Sequence, residues 1–514
     1  MAKYNFNLKE KAMIDEIRSP AVYNFNMACN LALLSNDTSV IRRFFQVGVA
    51  KYFKDQWLTM QVADTFLGHY EPGQAFAYFG IMPMIVQGKV NLIASNGFKC
   101  KSDDPMVDLA INKAKDIAEL EKKFVEGAYW ESGIGDFAYR ISYDPELSEY
   151  PIIDVIEPQH LEINYSHGKI KSFVIKEASS EDPTYELCEI HHKDAQGYAC
   201  INYRFRKDGK YVPLNDESLI KECRAQFADD LKLEPQRFPI KGFMIVYKQN
   251  ENNSMLYKGE RGVPDIQGLL SIEDALTETV SDLIDAIRKG GIKQYVSEEL
   301  IPQDENGRTF RFDPFRKTIM ITRGSTTPGE GQNLITTVQA NINWEAYTRT
   351  IQNLMSVAIN KAGLAPTTLG LTGLESINSS AESQDAREKT SLRKREICLN
   401  GWTPVLKELL NKWLQVYDYV CGLDIIDYTD LINIQFNEYT NPSLESITDV
   451  LARQVNAGIK AQETAISELN DGWSDEQVQK EIERIRADRQ GIQVIDKNLT
   501  ETDDVNFNGA NGNG

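Results

Sequence analysis

The stretch GERGVPDIQGLL, residues 259–270, separates two different sequence patterns. Short strand-like runs precede it, and a long helical pattern follows it and continues to Arg288 and Lys289. Apolar residues in and just before this helix recur in two seven-residue series: Leu269, Leu276 and Leu283, and Ile266, Val280 and Ile287, with Glu273 filling one slot of the second. A heptad seam of this kind predicts a neighbouring helix, although a single amphipathic core helix has the same spacing.

The upstream half of the chain combines helical and strand-like patterns. Residues 134–250 contain short runs rich in Tyr, Ile, Val and Phe, separated by DP, EP, HG and DG turn signals, which predict an antiparallel β-rich block. Residues 22–70 and 105–132 have helical periodicity, and we interpret IMPMIVQG and VNLIASNGF within residues 75–100 as strands. Together these segments predict an α+β fold.

The downstream half begins where Gly290 and Gly291 end the long helix. Residues 292–336 form a small module with the strand-like runs IKQYV, TFRFD and KTIMITR, and a second helix follows over about 338–362. The chain thus leaves and returns along a pair of helices. After a loop at 363–380, the longest helical run extends from Ala381 to about Val420, with a kink expected at Gly401–Pro404.

Composition limits the classes of protein that fit the chain. Its 514 residues include 56 Lys and Arg against 75 Asp and Glu, a formal net charge of −19. Proteins that coat duplex DNA are usually basic, so the charge argues against a histone-like role but permits local contact with DNA. We expect a soluble protein with no secretory signal and no membrane partner. Seven scattered cysteines without a CxxC pair predict reduced thiols.

Common catalytic and nucleotide-binding motifs are missing from the sequence, which has no GxxxxGK[ST], GxGxxG, HExxH or GxSxG. We therefore expect no enzymatic activity and no cofactor. Cys188, His191, His192 and Cys200 are residue types that bind zinc, but they are also consistent with alternating positions on two adjacent strands. Because zinc sites usually need paired close ligands at both ends, we predict no metal site.

Charged residues form three clusters along the chain. The acidic cluster lies along the first long helix and consists of Glu273, Asp274, Glu278, Asp282 and Asp285. One basic cluster lies in the longest helix: Lys389, Arg393, Lys394 and Arg395. The other lies in the small module: Arg308, Arg311, Arg316 and Lys317. Each cluster is compatible with an ordinary solvated surface, and the two basic ones are also compatible with phosphate binding.

The order of these parts resembles that of a tailed-bacteriophage portal protein of the SPP1-like family. GERGVPDIQGLLSIEDALTETVSDLIDAIRKG, at 259–290, is similar to the family's entry to its first stem helix. AGLAPTTLGLTGLESINSSAESQDAREKT, at 362–390, is similar to its loop before the long helix, and residues 451–488 are similar to its C-terminal helical region. The resemblance covers residues 250–490, and the N-terminal half by layout only.

The resemblance implies a portal fold with an α/β wing, paired stem helices, a small α/β clip, a long kinked helix and a helical crown. Portal proteins form a ring, dodecameric in the virion, at one vertex of the capsid, and DNA is packaged and ejected through it. The implied parts are residues 1–263 (wing), 264–289 (first stem helix), 290–336 (clip), 337–363 (second stem helix), 364–380 (tunnel loop), 381–440 (long kinked helix and wing return), 441–490 (crown) and 491–514 (disordered tail).

The resemblance also implies roles for particular residues. The tunnel loop would face DNA with Thr367, Thr368, Leu369, Gly370, Leu371, Thr372 and Gly373. The basic cluster of the long helix would contact phosphates, and the basic cluster of the clip would take part in docking. A stem seam of Leu269, Leu276, Val280, Leu283 and Ile287 would meet neighbouring subunits in a closed ring. The acidic cluster would form a stem wall that repels DNA and keeps it mobile.

The partners implied are further copies of the chain, double-stranded DNA, terminase, head-completion or adaptor proteins, and the major capsid and scaffold proteins. The implied location is the portal vertex of the virion, with host cytoplasm during assembly. Two alternatives remain open: another structural protein of the head, such as a minor head or scaffold component, or a nucleic-acid enzyme of the packaging machinery.

Overall fold

The computed structural model divides the chain into two compact units, Met1–Asn437 and Glu438–Gly514. It describes residues 20–46, 76–178, 185–212, 235–250, 257–290, 293–297, 319–322, 335–338, 341–371, 381–437, 448, 451–455, 457, 460–469 and 478–485. The predicted tail at 491–514 therefore lies outside the described residues. In the second unit, the buried apolar side chains among the described residues are Leu451, Ala465, Val478 and Ile482.

The described residues contain both helices and strands, with most of the strands between residues 136 and 249. The helices are α1 (Pro20–Leu34), α2 (Thr38–Gln46), α3 (Ile81–Ala94), α4 (Pro105–Ile117), α5 (Leu120–Gly133), α6 (Leu270–Lys289), α7 (Trp344–Lys361), α8 (Ala381–Cys421) and α9 (Gln462–Leu469). The strands are β1 (Phe98–Lys101), β2 (Asp136–Ser142), β3 (Ile152–Ile156), β4 (Leu161–Ser166), β5 (Lys169–Ala178), β6 (Tyr185–Lys193), β7 (Tyr198–Lys207), β8 (Lys210–Val212), β9 (Gln236–Lys241), β10 (Ile245–Gln249), β11 (Lys293–Ser297), β12 (Ile319–Thr322), β13 (Ile335–Val338) and β14 (Asn433–Phe436). The α+β fold class is thus confirmed.

The strands upstream of α6 form antiparallel sheets, as the sequence predicts. Strands β4 to β8 follow one another in a meander, and β9 also pairs with β7. A second sheet has the order β10-β2-β3. A third sheet joins β1 to β14, which follows α8, so that Phe98 lies opposite Phe436.

The expectation of strands within residues 75–100 is wrong for its main part, because residues Ile81–Ala94 form helix α3. Most of α3 is buried, including Ile85, Val90 and Ile93. A helix buried on nearly all sides is apolar all round, so its sequence has no amphipathic period and resembles that of a buried strand. Of the second run, only its last residue, Phe98, is in a strand, because β1 spans Phe98–Lys101.

Helix α8 forms one side of the main hydrophobic core. Trp402 is fully buried and meets the rings of Phe124 and Phe137 at centroid distances of 4.7 and 5.8 Å. The helix continues through Pro404 to Cys421. The predicted kink at Gly401–Pro404 stays a prediction, because continuity does not fix the bend. Since α8 packs on α3, α4, β2, β10 and β14, it connects the helical part of the unit with its sheets.

Helices α6 and α7 pack on each other, which agrees with the predicted helical pair. Between them the chain forms a small sheet in which β11 pairs with β12 in parallel and with β13 antiparallel. Along α6, Leu269 and Leu276 are fully buried within the subunit, whereas Ile287 is 57% exposed. The apolar residues at the start of α6 therefore pack in the subunit's own core, whereas Ile287 near the end of the helix faces solvent.

The turn before α6 is built on a close contact between two backbones. Gly262 lies so near Gly135 that a Cβ on residue 262 would overlap the carbonyl oxygen of Gly135. That same carbonyl accepts a hydrogen bond of 2.8 Å from the backbone N–H of Asn250. Backbone rather than a movable side chain fills the space, so only glycine fits at position 262.

We expect G262A to lower the free energy of unfolding by about 3 kcal/mol or more, because the added methyl group must displace backbone. Denaturant titration followed by circular dichroism measures this change. The matched control is G401A, because a Cβ at Gly401 meets only Lys248 Nζ at 3.5 Å. In a helix interior that substitution should raise stability by about 0.5–1 kcal/mol. A G262A protein as stable as wild type would contradict the close contact.

Candidate functional site

The described part of the predicted tunnel loop is a short turn fixed to two helices. Residues Pro366–Leu369 form a 3₁₀ turn, and Ser391 Oγ of α8 accepts the backbone N–H of Ala365 at 2.8 Å. The hydroxyl groups of Thr368 and Ser391 lie 2.7 Å apart. On the other side, the Leu369 side chain packs directly on the Cα of Gly88 in α3, where a Cβ would overlap it. The turn is therefore held from both sides.

Anchoring limits which tunnel-loop residues face solvent. Gly370 is exposed, whereas Thr367, Thr368, Leu369 and Leu371 are half-buried. Gly370 has φ +74°, a conformation that favours glycine. Residues 372 and 373 (Thr372 and Gly373) lie outside the described residues. The exposed part of the described loop is thus its end, next to Gly370.

The basic cluster of α8 divides into two pairs. Lys389 and Arg393, one turn apart, are exposed. Lys394 and Arg395 instead hold the fold together: Lys394 Nζ lies 3.1 Å from Asp265 Oδ1, and Arg395 donates to the backbone carbonyls of Leu92 and Asn437. We therefore correct the expectation for Lys394 and Arg395, whose charged groups are engaged inside the subunit. Lys389 and Arg393 remain candidates for phosphate contact.

Lys394 belongs to a buried charge network centred on Lys89 of α3. Lys89 Nζ lies 2.6 Å from Asp265 Oδ2 and 3.6 Å from Glu131 Oε2. Glu131 also binds Lys248 Nζ at 2.7 Å and accepts the indole N–H of Trp402 at 2.9 Å. The side chains of Lys89, Glu131 and Asp265 are at most 2% exposed. We call Lys89, Glu131, Lys248, Asp265 and Lys394 the buried charge network.

The buried charge network favours the charged forms of Asp265 and Lys89. Burial alone would raise the pKa of Asp265, but the positive charges of Lys89 and Lys394 outweigh burial and lower it. Burial alone would lower the pKa of Lys89, but Asp265 and Glu131 outweigh it and raise that pKa. The network joins α3, α5, β10, α8 and the turn before α6, so it fixes where α6 begins relative to α8.

A second buried cluster forms around Asp136 of β2 and includes Arg261 and Gly262 of the turn before α6. The carboxylate of Asp136 accepts the hydroxyls of Tyr23 and Tyr247, each at 2.7 Å, and the backbone N–H of Gly262 at 3.0 Å. Arg261 Nε lies 3.0 Å from Asp136 Oδ2, and its guanidinium stacks over the Tyr23 ring at 4.3 Å. Arg261 thereby satisfies a carboxylate that is fully buried.

The predicted acidic stem wall is not a single exposed surface in the subunit. Glu273 is fully buried, and its carboxylate accepts the backbone N–H groups of Gly80 and Met82 at 2.8 and 2.9 Å. We correct its role: Glu273 caps the N-terminus of α3, where the helix dipole favours a negative charge. One and two turns further along α6, the hydroxyl oxygens of Thr277 and Ser281 accept the backbone N–H groups of Phe79 and Ala77. These distances are 3.3 and 3.0 Å.

The other acidic residues of α6 divide between buried and exposed positions. Asp274 and Asp285 are buried. Glu278 and Asp282 are exposed and lie one turn apart. Partial burial, together with the negative charges of Asp282 and Asp274, raises the pKa of Glu278. An exposed acidic wall therefore consists, among the described residues, of Glu278 and Asp282.

The remaining candidate residues fall in two other places. Arg308, Arg311, Arg316 and Lys317 lie outside the described residues, so their docking role stays a prediction. Cys188 and His191 are on β6, and His192 of β6 pairs with Cys200 of β7. His191 Nε2 lies 2.6 Å from Glu189 Oε1. Within the described ranges, no group of three or more His, Cys, Asp or Glu side chains is arranged to hold a metal ion.

Most of the buried charge network leaves no signal in the sequence. Asp265 is one acidic residue among several near the first helix, and Glu131 and Lys248 have no distinguishing pattern. The exception is Lys89, which is the one charged residue of the run IMPMIVQGKVNLI. A lone lysine within a buried segment requires an opposite charge nearby, because an unpaired buried charge is very costly.

We expect D265N to lower the free energy of unfolding at pH 7 by about 3–5 kcal/mol, because it leaves Lys89 and Lys394 without their shared carboxylate. Since the pKa of Asp265 is lowered in the folded protein, its contribution is complete above the unfolded value of about 3.9 and is lost as pH falls through the folded value. The difference between wild type and D265N should therefore shrink below about pH 4.

Denaturant titrations of both proteins between about pH 2 and pH 7 measure this effect over the range in which carboxylates titrate. The matched control is D282N, an exposed carboxylate whose replacement should change stability by less than about 0.5 kcal/mol. A stability difference between wild type and D265N that stays constant down to the lowest pH would show that the Asp265 charge is not what stabilises the fold.

Comparisons with solved structures and with curated proteins bear on the chain as a whole. A solved structure described as the virion of a native gene transfer agent (GTA) particle is similar over 79% of this chain and 98% of that chain, with 11% sequence identity and a TM-score of 0.38. A TM-score this low does not establish a shared fold. No curated protein matches the chain.

Among the described residues, no helix has the length and apolar composition that a membrane span requires.

The family comparison covers more than half of the chain. The family model for phage portal proteins of the SPP1 Gp6-like type matches residues 187–494, from β6 through the second unit. The matched range contains the glycine-dependent turn, the helical pair, the small sheet between its helices, the anchored turn at Pro366–Leu369 and helix α8. The chain therefore belongs to the SPP1 Gp6-like family of phage portal proteins.

Proposed function

We propose that this chain assembles into a closed ring at one vertex of a phage capsid and forms a conduit for DNA packaging and ejection. Membership in the portal family carries the proposal. That family is structural rather than enzymatic, and it places the chain in the capsid of a virion. A dodecamer is the subunit number expected of the family. During assembly the chain would reside in host cytoplasm.

The exposed residues near the anchored turn support a conduit that touches DNA without gripping it. Gly370 carries no charge, and Lys389 and Arg393 are the exposed members of the α8 cluster. The exposed carboxylates Glu278 and Asp282 on α6 would repel phosphates. With a net charge of −19 on every subunit, a few basic positions allow transient phosphate contacts while the rest of the wall keeps DNA mobile.

The parts of the portal fold are assigned here as proposals. The helical pair α6 and α7 would form the stem, within 264–289 and 337–363, and the small sheet between them would belong to the clip at 290–336. The clip would dock terminase and later head-completion or adaptor proteins, with Arg308 to Lys317 contributing charge. The wing would meet capsid and scaffold proteins, and residues 441–490 would form the crown.

Electron microscopy of the purified full chain tests the proposal directly. We expect rings with a central hole, and no ATP hydrolysis by the pure protein. Monomers, closed shells or ATP hydrolysis would contradict a portal conduit and favour another head protein or a packaging enzyme. The experiment needs no other protein, because a ring closes through contacts between copies of the same chain.

We expect I287D to prevent ring assembly without unfolding the subunit, because Ile287 is 57% exposed and a charge there disrupts only a contact with a neighbour. Replacing Leu276 with Asp is a poorer test, because that side chain is fully buried in the subunit and the change would unfold it. Electron microscopy reports rings, and circular dichroism reports folding.

The matched control for I287D is L109D, which introduces the same charge at an exposed position of α4, where Leu109 is 70% exposed. It should form rings like wild type. Intact rings from a folded I287D protein would show that the open end of the stem seam does not contact a neighbouring subunit.

We expect the double change K389E and R393E to weaken binding of linear duplex DNA to assembled rings and to reduce its salt dependence, since fewer counterions are released. Electrophoretic mobility shifts across a salt series measure both. The double change K101E and K113E makes the same charge difference at exposed residues of β1 and α4 and should leave DNA binding unchanged. Equal effects from the two double variants would mean that only net charge matters.

A further inference from the structure

Apolar and aromatic side chains are exposed around the end of α8, far along the chain from the residues proposed to touch DNA. Three large ones are prominent: Tyr419 is 45% exposed, Leu423 59% and Ile426 50%. We call these three residues the α8-end surface. Exposed apolar groups in this density commonly mark a contact with another protein.

The end of α8 is fixed to the loop after β2. The rings of Tyr150, Trp413 and Tyr417 stack nearly parallel, with centroids 5.7 to 6.5 Å apart and interplanar angles of 6 to 15°. The indole N–H of Trp413 donates to the carbonyl of Pro151 at 2.8 Å, which joins the loop after β2 to α8. These contacts hold the last turns of α8, from which the α8-end surface continues, in place.

The loop after α8 is fixed to the helix in the same way. Asn411 donates to Asp427 Oδ1 at 3.0 Å and accepts the backbone N–H of Tyr428 at 2.9 Å. Gln415 donates to the carbonyl of Ile426 at 3.2 Å. Leu423 and Ile426 are therefore exposed on an ordered loop rather than on one free to fold back over them.

Charge around the α8-end surface is of one sign. Residues 413–431 contain four carboxylates and no Lys, Arg or His. Asp418 is buried, and the exposed carboxylates are Asp424, Asp427 and Asp430. Hydrogen bonds from Thr429 lower the pKa of Asp427. Of the flanking basic groups, Arg237 pairs with Asp194 at 2.8 Å and Lys412 binds the carbonyl of Lys241.

We propose that the α8-end surface is a docking site for a basic, amphipathic segment of a different protein. Its apolar side chains would pack under the apolar face of the segment, and the surrounding carboxylates would pair with its Lys or Arg residues. Nucleic acid does not fit, because its phosphates would meet only negative charge. The proposal does not depend on the conduit function.

A labelled peptide of about 14 residues, an amphipathic helix of Leu and Lys about four turns long, serves as the probe. Its affinity for the full chain is measured by fluorescence anisotropy at about 0.15 M salt, where long-range attraction between charges is screened. A peptide with Glu in place of Lys controls for charge. We expect the Lys peptide to bind and the Glu peptide to bind at least about tenfold more weakly.

Two variants locate the binding on the protein. L423S with I426S removes the apolar groups, and D424N with D430N removes charge; each should weaken the Lys peptide about tenfold or more. The control pair M106S with L109S changes two apolar residues of α4 that are more exposed than Leu423 and Ile426, and it should leave affinity unchanged. These positions are exposed, so all three variants should fold, and circular dichroism verifies it.

Three results would overturn the proposal. The first is equal binding of the Lys peptide by wild type and both surface variants, and the second is equal binding of the Lys and Glu peptides. The third comes from sedimentation velocity: if L423S with I426S dissociates an assembly that wild type forms, the surface contacts a second copy of this chain.

Discussion

The buried attraction between Lys89 and the carboxylates of Asp265 and Glu131 is the interaction on which the rest of the first unit depends. Taking these charges out of water is costly, so each needs a partner in a fixed position. The partners come from α3, α5, β10, α8 and the turn before α6. Satisfying the charges therefore brings together segments that are more than 300 residues apart in the chain, from Lys89 to Lys394.

The same network determines which residues are available for function. Because Lys394 is drawn inward to Asp265, and Arg395 to backbone carbonyls, only Lys389 and Arg393 of that basic cluster stay exposed. Ser391, between them, holds the Pro366–Leu369 turn against α8. The proposed DNA contacts thus come from a helix face and a turn whose positions are set by buried polar contacts rather than by loop flexibility.

Several features could be predicted from the sequence because the residues that mark them recur at regular spacing or in runs. The heptad spacing predicted the helical pair, and runs of β-branched and aromatic residues predicted the antiparallel sheets. Helix α3 resembles strands in the sequence because a helix buried on nearly all sides has little amphipathic period. The sequence groups Glu273 with an acidic wall because nothing in it marks the partners of that carboxylate, the N–H groups of Gly80 and Met82, about 190 residues away in the chain. Long-range polar pairs leave no periodic signal, so the sequence does not predict the buried charge network.

We propose that buried charges orient α8 so that Lys389 and Arg393 line a conduit formed by many copies of the chain. A three-dimensional reconstruction of the assembled full chain by electron microscopy tests this orientation. We expect Lys389 and Arg393 to face the central hole, with Asp265 buried between Lys89 and Lys394 in every subunit. Rings in which Lys389 and Arg393 lie on the outer surface would contradict it.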